Sequence, residues 1–180
     1  MIVTLVLAGE IGFWVVLALA LTARYLLRWR TVSSVLLLGL PLIDLAILVL
    51  TVLDLRHGTV ATLAHGLAAA YVGFSVAYGH YLVRWADGHV HHRFAGGPKP
   101  AGAPRYGAAR ARHEWLIFAR TTLAAGLTVV LIAAMTWLTD APDRTGALGG
   151  WYQRMGWVLA ISLVIAGSYT LFPKKDPAGR

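Results

Sequence analysis

Two carboxylates interrupt the apolar run "PLIDLAILVLTVLDL" at residues 41–55: Asp44 near its start and Asp54 near its end. A third, Glu10, stands inside an earlier apolar run, about two helical turns from its start. Phe13, Trp14, Leu17 and Leu21 follow Glu10 at +3, +4, +7 and +11, and so share its helical face. An ionisable group inside hydrocarbon is costly by several kcal/mol on most scales, which makes each such acid a candidate functional residue. Low dielectric disfavours the charged form of any carboxyl group. Acids of this kind suit two roles: proton transfer to a substrate where water is excluded, or passing protons along a relay.

The spacing arranges these groups further. Pro41 and Gly39 precede Asp44, and a proline there leaves the Leu37 carbonyl without its helical partner, a setting that suits a cavity. Thr51 shares Asp44's face at +7 and joins the candidate substrate contacts. Asp54 lies about 15 Å further along the helix, turned by roughly 80°. His65 enters the next apolar run from the same side as Asp54. We therefore expect Glu10, Asp54 and His65 as catalytic groups in one half of the membrane, with Asp44 at the cavity floor. Trp14, Tyr71, Phe74, Tyr78 and Trp157 could line such a cavity with electron-rich faces, suited to a cationic group. Core packing would equally account for each aromatic taken singly. Ala69, Gly73 and Ala77 form a small-residue stripe suited to close helix packing.

The elements that must carry these residues follow from composition. The chain is 58% hydrophobic and 13% charged, with mean hydropathy +0.65, far from a soluble balance. Five apolar runs, at about 3–26, 32–53, 59–83, 115–138 and 151–172, approach or exceed the roughly 18–20 residues needed to span a bilayer. We expect an all-α integral membrane bundle of five transmembrane helices, forming a single domain over 1–180. The longest connection, about 85–114, is read as a cytoplasmic loop. Arg24, Arg28 and Arg30, then Arg84, Arg93, Lys99, Arg105, Arg110 and Arg112, then Lys174, Lys175 and Arg180 gather on one side. The positive-inside rule then puts the N-terminus outside and the C-terminus in the cytoplasm. The first run has no basic n-region and no small-residue cleavage site, so it is read as a retained helix. Trp29, Trp85, Trp115, Trp137, Trp151 and Tyr152 fall near the boundaries and read as interfacial anchors. Arg120, inside the fourth run, is expected to reach the interface by snorkelling.

Several classes are excluded or disfavoured. There are no cysteines, hence no disulfide, thiolate metal site or cysteine nucleophile. The pI near 10.3 points to anionic lipid head groups and not to nucleic acid, because the basic residues flank apolar runs. His89, His91 and His92 in "HVHH" lie in a Gly/Pro-rich stretch read as loop and lack a supporting acid, so no metal site is expected. His65 and His80 are separated by about 22 Å of helix rise and cannot flank one haem iron. No cofactor is expected.

The segments "GEIGFW", "LPLIDLAILVLTVLDLRHGTVATLAHGLAAAYVGFSVAYGH", "GGPKP" and "LFPKK" resemble the YmcC-type small bacterial integral membrane proteins over nearly the whole chain. That resemblance implies a multi-pass protein of the bacterial cytoplasmic membrane. In size, helix number and intramembrane acids, the chain is also similar to the small membrane terpene cyclases of bacterial indole-meroterpenoid pathways. This second resemblance implies proton-initiated cyclisation of a prenylated small molecule that enters from the lipid bilayer, with Glu10, Asp44 and Asp54 matching acids of that kind. Proton or ion transport would use the same acids, but there is no repeat symmetry and no polar stripe through the inner half. A homo-oligomer could supply a missing pathway. A non-catalytic accessory protein needs no buried acid. The chemistry favours the cyclase-type enzyme, then transport, then the accessory role.

Overall fold

The computed structural model describes residues 2–94 and 96–173, apart from the side chains at 2, 3, 5–7, 9, 10, 13, 30, 34, 38, 40, 41, 44 and 47. The protein is all-α: α1 Ile2–Tyr25, α2 Arg30–Arg56, α3 Leu63–Phe94, α4 Gly107–Thr139 and α5 Pro142–Leu171. Each helix contains most of one of the apolar runs, and α2 continues through Pro41. At 1.5 Å per residue all five are long enough to cross a hydrocarbon core of about 30 Å. Among the described residues, α4 and α5 are both long and apolar enough to cross a membrane.

Two connections turn on residues in the left-handed region. Arg28 (φ 60°) reverses the chain between α1 and α2, and the Trp29 N–H donates to the Ala23 carbonyl at 2.7 Å. Asp140 (φ 46°) closes α4, a conformation that Asp tolerates better than most non-glycine residues. Pro142 then opens α5, where its missing N–H costs nothing.

α3 is the central helix, packed against each of the other four. Lipid is as apolar as leucine, so close fit, more than hydrophobic transfer, must hold such helices together. Glycine supplies the fit. A Cβ on Gly73 would come within 2.5 Å of Thr128 Oγ1 and 2.7 Å of the Ala124 carbonyl, so α3 and α4 meet backbone to backbone there. A Cβ on Gly66 would collide with the Trp151 indole of α5. Around these contacts Leu48, Leu55, Ala69, Ile132, Met135 and Leu148 form the main core. A smaller cluster, centred on Leu17 and Leu21, joins α1 to the later turns of α3.

Two expectations are corrected. The connection assigned to 85–114 is largely helical: α3 runs on to Phe94 and α4 begins at Gly107, leaving only 95–106 between them. His89, His91 and His92 therefore lie on the last turns of α3 and not in a loop. Trp151 is buried at 7% exposure, a packing residue against Gly66, whereas Trp29, Trp85, Trp115 and Trp137 are exposed as anchors would be. Arg120, read as snorkelling to the interface, has its guanidinium 4.8 Å from the Tyr81 ring centroid of α3, a contact compatible with that reading.

Candidate functional site: an aromatic cavity beside an Asp–His pair

Trp14 of α1 and one face of α3 line an open-sided pocket of about 430 Å³, with Tyr71, Phe74, Ser75, Tyr78, Gly79 and Leu82 on the α3 side. Its size falls in the range of small-molecule sites. The α3 residues recur at three- and four-residue intervals, which puts them on one helical face. Phe74 and Tyr78 stack with ring centroids 6.0 Å apart and planes within 8°. The Thr121 hydroxyl donates to the Ile117 carbonyl at 3.0 Å, leaving its oxygen to accept from the Tyr78 hydroxyl at 2.7 Å. Those bonds fix the Tyr78 ring and satisfy its one polar group, so the cavity sees mainly the aromatic surface. Trp14 is 60% exposed, which opens the cavity to the surroundings of the bundle. A second cavity, about 280 Å³ between α2 and α4, is lined by aliphatic residues with Arg56 and contains no aromatic ring.

Asp54 and His65 meet at one end of α3. His65 is 2% exposed, and its Nε2 lies 3.4 Å from Asp54 Oδ2, whose side chain is 36% exposed. The Thr62 amide donates to His65 Nδ1 at 3.1 Å, so that nitrogen carries no proton, and the Thr62 hydroxyl lies 3.0 Å from it. Nε2 then bears the ring proton and donates to Asp54. Thr62 stands just before α3 and His65 is its third residue, so the ring reaching back to the Thr62 amide makes one half of a capping box. The pair thus positions the start of α3 as well as offering an acid and a base. From His65, Tyr71 is about 9 Å along the axis and Phe74 about 13 Å, so the pair lies beyond the end of the aromatic cavity.

The expected site residues therefore separate. Trp14, Tyr71, Phe74 and Tyr78 line one cavity, and Asp54 and His65 form a second group. Thr51 is buried at 2% exposure on the Leu48–Leu55 face of α2, inside the core. Trp157 is 63% exposed, because the packed face of α5 runs through Leu148, Trp151 and Met155. Neither lines the cavity. Glu10 and Asp44 belong to α1 and α2, and their side chains lie outside the described residues.

Other partners were not anticipated. Arg144 of α5 donates to the Leu55 carbonyl at 3.2 Å, while its own carbonyl accepts from the Ala61 amide at 2.7 Å. This one residue ties the α2–α3 turn, and with it Asp54, to α5. Thr62 three residues before His65 was a readable cap signal, hidden by starting the third span at residue 59. Glu114 is buried against Arg110, whose guanidinium lies 4.8 Å from the Tyr169 ring centroid. Glu114 falls at the end of the 85–114 stretch that the sequence suggests is a loop, and it lies within α4.

The chain is 37% identical over 170 residues to the uncharacterized membrane protein YmcC of Bacillus subtilis (strain 168), an alignment covering 94% of this chain and 91% of that one. No family model and no solved structure matches it.

Proposed function

This chain belongs to the YmcC-type family of bacterial membrane proteins, and on that premise we propose that it is a membrane-embedded terpene cyclase-like enzyme. All five helices cross the cytoplasmic membrane as one domain, with the N-terminus outside. The substrate is a prenylated arene dissolved in the bilayer, of which indole types are one example. The observation that carries this reading is the cavity walled by Trp14, Tyr71, Phe74 and Tyr78 and open beside Trp14.

The reaction needs few parts. A carboxylic acid donates its proton to the distal alkene or epoxide of the prenyl chain, and the alkene π electrons close rings as the cation migrates. Loss of a proton to a base ends the sequence, so substrate and product have the same mass. Aromatic faces stabilise the cation by roughly 0.5–2 kcal/mol per contact, more where water is excluded. The acid is drawn from Glu10, Asp44 and Asp54; Glu10, four residues before Trp14 on α1, is placed closest in sequence to the cavity wall. His65 or a second carboxylate takes the final proton. Favouring cyclisation over proton transport, the described α3 residues between His65 and Tyr71 are glycine, leucine and alanine, which offer no proton relay.

Single amide replacements test the assignment: Glu10→Gln, Asp44→Asn and Asp54→Asn. At least one should remain folded and bind substrate while losing cyclised product. Normal turnover in all three would refute the acid mechanism. A proton flux abolished by Asp44→Asn, with no cyclisation by the unmodified protein, would establish transport instead.

A further inference from the structure

Where α3 ends and α4 begins, a second kind of cavity opens, about 600 Å³ in volume. Arg84, Trp85 and His89 of α3 line one side, His113 of α4 another, and residues 100–104 close it. No aspartate or glutamate is among the lining residues. The two acids on neighbouring turns are engaged elsewhere. Asp87 accepts from the Tyr25 hydroxyl at 2.7 Å and lies 3.6 Å from Arg24 Nε, and Glu114 pairs with Arg110. Arg84 is left without a carboxylate partner among the described residues.

The wall is built and held. Gly88 gives Pro100 room to lie on α3, since a Cβ there would come within 3.4 Å of the proline ring. The Gly97 amide donates to the His91 carbonyl at 3.1 Å, and His92 Nδ1 donates to the Gly97 carbonyl at 2.9 Å. At the far end Arg110 donates to the Pro104 carbonyl at 3.3 Å. The amides of Ala101, Gly102 and Ala103 donate to no carbonyl among the described residues. His89 Nδ1 donates to the Trp85 carbonyl at 2.7 Å, so Nε2 donates to a phosphate oxygen only in the imidazolium form of the ring.

We propose that this cavity binds a phosphate group carrying more than one negative charge. The guanidinium fork of Arg84 matches phosphate geometry, His89 and His113 line the same cavity, and no acid is among its lining residues. Exposed Trp85 is the residue type that settles at head-group depth. The ligand is a phosphate monoester, either the head group of an anionic lipid or a soluble phosphate. This assignment does not depend on the cyclase reading.

The full-length protein in phosphatidylcholine nanodiscs tests it. Retention of phosphatidic acid, and its competition by inorganic phosphate, are measured by native mass spectrometry. Arg84→Gln and, separately, His113→Gln are compared with Arg112→Gln, an exposed cation on the same end that does not line the cavity. We expect each lining variant to weaken retention about tenfold, the worth of one charge-assisted contact, and Arg112→Gln to change it less than about twofold. Competition by inorganic phosphate identifies a soluble ligand; retention without competition identifies the lipid. Equal retention of phosphatidylcholine and phosphatidic acid without phosphate binding would overturn the site. So would an equal loss in Arg112→Gln, which would reduce the effect to general surface charge.

Discussion

Asp54 and His65 join α2 to α3 through a 3.4 Å contact, while Thr62 holds the opposite ring nitrogen of the same histidine. His65 therefore has a structural task whatever its chemical one. Removing it forfeits the hydrogen bond from the amide of exposed Thr62, about 0.5–1.5 kcal/mol, and empties the buried site that the ring fills. His65→Ala should lower the melting temperature in detergent more than Thr62→Ala, which removes only the hydroxyl contact to the same ring nitrogen. Asp54→Asn should cost least, because Asp54 is part-exposed and the amide can still accept from Nε2. A larger loss in Asp54→Asn than in His65→Ala would contradict this hierarchy.

Glycine contacts make a second prediction. Gly66→Ala drives a methyl into the Trp151 indole, and Gly73→Ala drives one into Thr128 and the α4 backbone. Overpacking of this kind costs about 1–3 kcal/mol. Gly126→Ala meets nothing within 4 Å and should be neutral or stabilising by up to about 1 kcal/mol through helix propensity. Thermal unfolding of the three variants separates the cases, and equal stability throughout would contradict the packing.

Tyr78 has a ring in the cavity wall and a hydroxyl turned to Thr121. Tyr78→Phe should cost about 1 kcal/mol of stability and keep most cyclisation, since the aromatic face remains. Tyr78→Leu should retain substrate binding but slow cyclisation about tenfold, by removing one cation–π contact. If Phe and Leu slow turnover equally, the face of Tyr78 does not stabilise the cation.

Much of the helical frame could be read from the sequence, because apolar runs of spanning length leave a bundle few alternatives. Helix ends were harder. Hydropathy falls at "HVHHRF" and before Trp115, yet backbone hydrogen bonding carries α3 to Phe94 and starts α4 at Gly107. Polarity there marked a change of surroundings, not the end of a helix. Trp151 looked like an anchor because its position suits one; only the missing Cβ of Gly66, 85 residues earlier, shows where the indole packs. The aromatics of α3 fell on one face by periodicity alone. Trp157 did not join them, since its place depends on which side of α5 meets α4. Arg144 binding the Leu55 carbonyl left no local signature, as contacts between distant residues do not.

The central claim, that the aromatic cavity cyclises a prenyl chain, is tested most directly with membranes containing the unmodified protein. These are incubated with a panel of prenylated indoles and related arenes, and products are separated by liquid chromatography with mass detection. The account predicts a new product of unchanged mass, with fewer alkene signals by NMR, that is absent from membranes lacking the protein. Recovery of every substrate intact, from membranes in which the folded protein is verified, would contradict it.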